Sequence, residues 1–243
     1  MSFADPSTGA RVAIVTGGTH GIGRAVCLAL AGAEMWVAAC GRDKSLLRTL
    51  ETESIHGYPC DVRDGDRVRE TVAAVAAARG RIDVLVNAAG VSMPEPLSLE
   101  AVDTALWQRI IETNLTGTFN FCRAVLPHMR RRGTGLIVNI LSTAAFRSNP
   151  GNGPYTVSKY GARALSECLA EETKGSGIKV TSVSPGPVNS DIWTHKKRPP
   201  AAEERARMLK PEDIAEIVLF LYTRPGYVHI ENVTVVPLFP QSP

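Results

Sequence analysis

At 243 residues with no Pro/Gly/Ser-rich linker, the chain reads as one α/β domain of the larger kind, and 44% hydrophobic with 6% aromatic residues describes an aliphatic core that needs no staples. A net charge of +3 is too small to imply nucleic acid, and no apolar run approaches the ~18 residues of a membrane span. Cys27, Cys40, Cys60, Cys122 and Cys168 show neither disulfide nor zinc-ligand spacing, so we expect reduced thiols, no metal and a soluble, cytoplasmic protein.

Residues 1–10 are polar and read as a loose tail. Residues 12–15 then form a first strand, which runs into the glycine-dense turn 16–23 and a helical pattern over 22–31 that Gly32 can end. A buried second strand over 35–39 completes a right-handed βαβ unit. Asp43 can cap a helix over 44–53, a short third strand lies near 55–60, and Asp64 or Asp66 caps a helix over 67–78 that Gly80 closes. The fourth strand covers 82–86, a long helical region interrupted near Gly117 runs from 99 to 132, and the fifth strand covers 136–141. Pro154 opens a helix reaching Lys174, and 178–183 is the sixth strand, which leads into Pro185-Gly186. Residues 187–208 read as irregular or weakly helical, Pro211 opens the last helix to Tyr222, and 233–236 is the last strand. Alternating strands and helices, with most strands continuously apolar, specify an α/β fold: a doubly wound parallel sheet of about seven strands with helices on both faces.

Ligands bind such sheets at the carboxyl ends of the strands, so the turns at 16–23, 87–90, 142–145 and 185–190 should converge. Gly17, Gly21 and Gly23 have the G-x-x-x-G-x-G spacing that lets the backbone turn sharply, approach a pyrophosphate and pack the helix on the strand. The start of that helix offers free N–H groups and a positive dipole end to phosphates. Thirteen residues after Ser142 comes Tyr155, with Lys159 one turn further on the same helix face. A phenol releases its proton near pH ~10, too high for acid/base work at neutrality. A lysine ~4 Å away at an effective dielectric of ~20 favours the phenolate by ~4 kcal/mol, which brings the tyrosine into a useful range.

Over residues 11–237 these features resemble the short-chain dehydrogenase/reductase family, in its short single-domain branch with a Rossmann-type fold. The turn carrying Gly17, Thr19, His20, Gly21, Ile22 and Gly23 resembles the family's cofactor loop, Asp61 with Val62 its adenine contact, and Asn87-Ala88-Ala89-Gly90 its N-x-A-G strand end. Asn114, Ser142, Tyr155 and Lys159 match its catalytic tetrad in order and spacing, and Pro185-Gly186, with Val188 and Ser190 beyond, matches the turn flanking the nicotinamide. The resemblance implies that Tyr155 exchanges a proton with the substrate oxygen, Lys159 lowers its pKa and holds the nicotinamide ribose, Ser142 orients the oxygen, and Asn114 keeps a water in the relay. It also implies a homo-oligomer, dimer or tetramer, paired through the long helices. Ser190 stands where many relatives have threonine. The C-terminus lacks the glycine pair that follows the last strand of the acyl-carrier reductases, so it is more similar to the branch with serine and other hydroxy-acid dehydrogenases.

Substrate choice is assigned to Met93, Ala144, Phe146, Asn149, Asn152, Pro187 and a lid over 187–210, with Phe146 and Trp193 as apolar walls. Within the lid, His195, Lys196, Lys197 and Arg198 form a basic run that reads as a solvated face or as a partner for a carboxylate, a phosphate or the cofactor. Arg130, Arg131 and Arg132 end a helix, where cations suit the dipole, or dock an acidic carrier protein.

NADP(H) is favoured over NAD(H). The position ending the second strand, where an acid would bond the ribose hydroxyls and repel a 2′-phosphate, falls at uncharged Cys40. Gly41 leaves room beside it, Arg42 offers a planar fork to a phosphate, and His20 adds a polar neighbour. Asp43 is the competing ribose contact. The expected activity is an NADP(H)-dependent oxidoreductase interconverting a secondary alcohol and a ketone on a small molecule. Two readings stand beside it: a 3-oxoacyl-[acyl-carrier-protein] reductase and a nucleotide-binding regulator without turnover.

Overall fold

In the computed structural model, which describes residues 9–238, seven short segments rich in β-branched and aliphatic residues pair into one parallel sheet. They are β1 (Val12–Thr16), β2 (Trp36–Gly41), β3 (Ile55–Pro59), β4 (Val84–Asn87), β5 (Gly135–Ile140), β6 (Ile178–Pro185) and β7 (Asn232–Val235), in the spatial order β3-β2-β1-β4-β5-β6-β7. β1 pairs with β2 on one side and β4 on the other, so the strand order reverses beside β1. The expected doubly wound fold is thus observed. The tail expected over 1–10 lies outside the described residues, apart from Gly9 and Ala10.

The helices are α1 (Gly21–Gly32), α2 (Lys44–Leu50), α3 (Gly65–Arg79), α4 (Thr104–Ile111), α5 (Gly117–Arg132), α6 (Gly153–Glu172), α7 (Ala202–Ala206) and α8 (Pro211–Tyr222). One face of the sheet packs Val26 and Leu30 of α1 and Val218 and Leu221 of α8 against β1, β2 and β4. The other face takes Val68, Val72 and Val75 of α3 with Phe121, Val125 and Met129 of α5. β1, β2, β4, β5 and β6 are buried along their whole length, the pattern of strands covered on both sides. β7 alternates exposed and half-buried residues and forms an edge.

Several boundaries differ from the sequence reading, each for a local reason. Asp43 and Asp64 cap α2 and α3, Asp64 accepting from the N–H groups of Asp66 and Arg67, which places Asp66 inside the first turn. Gly80 closes α3 with φ +70°, as expected. α1 does end at Gly32, and the left-handed residue beyond it is Glu34 (φ +59°), while the N–H of Met35 reaches back to the carbonyl of Leu30. α2 stops at Leu50 because Glu51 is extended. The 99–132 region divides into a 3₁₀ turn (Leu99–Ala101), α4, a π-turn (Glu112–Thr116) and α5. Gly117 stands where the break was expected, yet its task is packing: a Cβ there would come within 2.5 Å of Val62 Cγ2.

At the amino-terminal edge of the sheet, the Asp83 carboxylate is buried with Arg81, Nε and Nη2 each at 2.7 Å, and accepts the N–H of Val12 at 2.9 Å. The bond joins the start of β1 to β4 before either strand enters the core. Asp83→Ala removes the buried carboxylate that the Arg81 guanidinium and the Val12 N–H share, and we expect it to cost about 3–5 kcal/mol, read as a lower urea midpoint with an unchanged slope.

Candidate active site

The carboxyl ends of β1, β4, β5 and β6 converge as the strand order requires. Thr16 ends β1, and its hydroxyl accepts the N–H groups of Ala88 and Ala89, each at 3.1 Å, which draws the turn after β4 onto the glycine loop. Gly17 has φ +67°, and a Cβ there would lie 2.9 Å from Ala89 Cα, so only glycine admits that approach. Gly23 starts α1 against the loop, where a Cβ would be 2.2 Å from the Gly17 carbonyl. His20 occupies the cap of α1 without a side-chain hydrogen bond to it, and no acid lies in its first turn. α2, α3 and α4, by contrast, each carry an aspartate cap. The Gly21–Ile22–Gly23 end of α1 therefore has neither a capping side chain nor an acid against its positive dipole, the arrangement that suits an anion.

A second group gathers behind this loop. Tyr155 and Lys159 project from α6 toward the end of β5, where the Lys159 ammonium donates to the Ile140 carbonyl at 3.0 Å and lies 5.8 Å from the Tyr155 ring centre. Ser142 follows β5, accepts the N–H of Ala144 at 3.1 Å and lies beside the Tyr155 phenol, whose pKa it draws down. Asn114 sits in the π-turn, its Oδ1 accepting from Val91 N at 2.8 Å and its Nδ2 donating to Val91 O at 2.9 Å and Ser158 Oγ at 3.0 Å. Ser158 in turn donates to the Tyr155 carbonyl at 2.7 Å. A Cβ on Gly90 would be 3.5 Å from Asn114 Oδ1 and 3.8 Å from Lys159 Nζ, which places these groups around one turn.

The electrostatics differ from the simple pairing expected of Tyr155 and Lys159. Burial pushes the phenol above its usual pKa, and the Ser142 hydroxyl opposes this; Lys159 is not among the groups that shift it. Burial pulls the Lys159 ammonium down to about 8. Desolvation outweighs attraction because the ammonium is directed to the Ile140 carbonyl rather than to the phenol oxygen.

The comparisons with known proteins agree with this layout. The family pattern described as short chain dehydrogenase matches residues 11–201. The chain belongs to that family. A 3-oxoacyl-[acyl-carrier-protein] reductase of Thermotoga maritima is 35% identical, over 87% of this chain and 89% of its own. Two solved structures superpose closely: a metagenomic short-chain oxidoreductase in complex with NADP (31% identity, TM-score 0.82, 96% of this chain and all of the other) and a closed serine dehydrogenase complexed with NADP+ (29% identity, TM-score 0.85, 92% and 93%).

In this short-chain dehydrogenase the nucleotide end needs correction. β2 extends to Gly41, and the two-residue alternation turns the fully buried Cys40 thiol into the layer beneath α3 and away from the glycine loop. Gly41 is the residue facing the loop, with a Cβ there lying 2.9 Å from Thr19 Cγ2; Thr19 shares a 2.8 Å hydrogen bond with His20 Nδ1. Asp43 is spent as the cap of α2. Exposed Arg42 has no ion pair among the described residues, though its charge reaches Asp61. Asp61 is held in a forked pair by Arg63, a residue the sequence reading missed although i, i+2 opposite charges in a turn advertise it. That pair keeps the Asp61 carboxyl below its usual range. Val62 packs on Gly117 and offers only its backbone, whose carbonyl already takes Asn120 Nδ2 at 2.9 Å.

Asn87 is likewise turned inward. Its Nδ2 donates to Asn139 Oδ1 at 2.8 Å, and Asn139 Nδ2 to Ser166 Oγ at 2.8 Å, a buried chain tying β4 and β5 to α6. Asn139 was legible as the single polar residue within β5. Pro185 ends β6 and Gly186 packs on Pro237 of the last strand's exit, Val188 is buried in the core, and Ser190 faces Gly21.

Of the pocket residues, Ala144, Asn152, Pro187 and Trp193 are half-buried and Asn149 is exposed. Met93 is 1% exposed and belongs to the interior. Phe146 packs with Leu141, Ala145 and Ala162 under the Arg163 guanidinium, 4.2 Å from its ring centre, so it supports α6 instead of walling the pocket.

Lys159 supplies a test of this burial. Its folded pKa of about 8 lies below the usual 10.5, so from pH 8 to 10.5 the unfolded chain binds a proton the folded one has released, and stability rises with pH over that window. We expect the stability of wild type relative to Lys159→Met to improve by up to ~3 kcal/mol between pH 7 and 10.5, measured by urea unfolding. An unchanged difference would show that the ammonium is not desolvated.

Proposed function

We propose that this short-chain dehydrogenase interconverts a secondary alcohol and a ketone on a small molecule, with NADP(H) as hydride partner. The observation that carries this reading is the grouping of Ser142, Tyr155 and Lys159 at the end of β5, with the Lys159 ammonium on the Ile140 carbonyl and 5.8 Å from the phenol ring centre, beside a glycine loop whose helix start carries no side-chain cap. The nicotinamide, when bound, supplies or accepts the hydride. The phenol, raised by burial, stands protonated at neutral pH, the form that gives its proton to a carbonyl oxygen becoming a hydroxyl. Ser142 holds that oxygen by its hydroxyl, and the Lys159 ammonium stabilises the phenolate left behind. Oxidation runs the same steps in reverse. Asn114 acts as a positioning residue, its side chain committed to Val91 and Ser158, with one lone pair of Oδ1 left over for a water.

NADP(H) preference rests on Arg42, exposed beside the loop with no acid at Gly41 to repel a 2′-phosphate. The neighbours complexed with NADP support this reading. A second reading, reduction of a carrier-bound 3-oxoacyl group, draws support from the Thermotoga relative's name and from Arg130, Arg131 and Arg132 at the end of α5. A homo-oligomer is supported by the exposed Trp107, Phe119, Val157 and Tyr160 on α4, α5 and α6.

Tyr155→Phe removes the proton donor and little volume. We expect turnover to fall at least ~100-fold while the NADPH dissociation constant stays put, measured by steady-state kinetics and fluorescence titration. Comparable turnover in this variant would overturn the assignment. Arg42→Leu should lower the ratio of kcat/KM for NADPH over NADH by roughly ten- to a hundredfold, the worth of one charge-assisted contact.

A further inference from the structure

The lid closes on the turn after β4 through two adjacent lysines that behave differently. Lys197 reaches outward to Glu95, a conventional surface pair, and its N–H donates to the Pro94 carbonyl at 2.9 Å. Lys196 turns inward. Its ammonium lies 5.8 Å from the Trp193 ring centre and donates to Ser92 Oγ at 3.2 Å, and it has no carboxylate partner among the described residues. Trp193 is itself fixed by a 2.7 Å bond from Nε1 to the Val188 carbonyl, and Arg205 ties the far arm of the lid to Asn189 Oδ1 at 2.8 Å, so the lysine is held rather than free. Half-buried and in no ion pair among the described residues, the ammonium is pulled below its usual pKa by burial. A desolvated cation resting on a neutral hydroxyl and an aromatic ring is incompletely satisfied, and an anion between them would satisfy it.

The position of this cation matters for the reaction. Ser92 follows Val91, which is bonded twice to Asn114, and Gly90 before it abuts Lys159. The lysine thus overhangs the same turn, residues 90–92, that borders the acid/base group. We propose that Lys196 and Ser92 form an anion subsite, which makes the preferred substrate a short hydroxy or oxo compound carrying a carboxylate or phosphate. This deepens the oxidoreductase reading and rests on it.

The test uses two matched ketone pairs with the NADPH-loaded enzyme at pH 7: acetoacetate against methyl acetoacetate, and dihydroxyacetone phosphate against dihydroxyacetone. We expect wild type to favour one charged member over its neutral twin at least tenfold in kcat/KM, the pair concerned identifying the anion. Lys196→Gln, which keeps a hydrogen bond to Ser92 but not the charge, should lower kcat/KM for the charged member at least tenfold more than for its neutral twin and so abolish the preference, and Lys196→Arg should restore most of it. A lysine that merely latched the lid would affect both members of a pair alike. Calorimetric titration of the NADP+-loaded proteins with acetoacetate and with inorganic phosphate reads the subsite without turnover, since the oxidised cofactor has no hydride to give a ketone, and binding lost in Lys196→Gln supports it even if no ketone is reduced. Reduction of neutral ketones without charge preference, or a preference that survives in Lys196→Gln, overturns the subsite and leaves the oxidoreductase reading standing. Neither turnover nor anion binding by a wild type that binds NADPH overturns both.

Discussion

The site depends on how closely the ends of β1 and β4 can approach. Side chains on both would hold the two turns apart, and the glycine at 17 together with the Thr16 hydroxyl removes that obstacle. Two N–H groups that the parallel ladder leaves unpaired at the end of β4 find an acceptor there, at a net gain of about 1 kcal/mol each and an avoided desolvation cost of about 1–3. Once these ends are joined, the start of α1, the turn 88–91 and the π-turn carrying Asn114 all face one cleft. The direction of the helix dipole and the position of Lys159 then follow from the same contact.

A second constraint is polar and lies beneath the sheet's end. Asn87, Asn139 and Ser166 hand hydrogen bonds from β4 to β5 to α6, and Asn114 and Ser158 do the same from the π-turn. Burying five such side chains is favourable only if the chain of partners is nearly complete; one acceptor, Asn87 Oδ1, has none among the described residues. The return is orientation. α6 must present Tyr155 and Lys159 to Ser142 with little freedom, and an apolar contact alone would let the helix slide or rotate. Directional bonds at two points along its first four turns, at Ser158 and Ser166, prevent that.

The lid is built on different terms. It contains a 3₁₀ turn (Asp191–His195) and the short α7, neither of which buries an apolar side chain of its own; Arg205 and Asn189 tie its two arms together, and a handful of polar contacts fasten it to Ser92, Pro94 and Glu95. Such a segment opens at low cost, while the β-sheet behind it does not. Substrate entry and a rigid acid/base group are thereby assigned to separate parts of the chain.

The sequence alone determined what is periodic or closely spaced: the strand and helix order, the glycine pattern of the loop, the aspartate cap of α2, and Tyr155 and Lys159 on one helix face. These are local properties, governed by the two- and 3.6-residue repeats and by backbone freedom at single positions. The tertiary structure decided where side chains point and what they meet. One additional residue in β2 moves the loop-facing position from Cys40 to Gly41, because successive strand residues face opposite layers. Asn87 and Asn139 meet across 52 residues and Lys196 and Ser92 across 104, and no local repeat encodes such meetings. The phenol and ammonium, legible as a pair, are displaced from their expected acidities by burial, a quantity that exists only once the chain has closed around them.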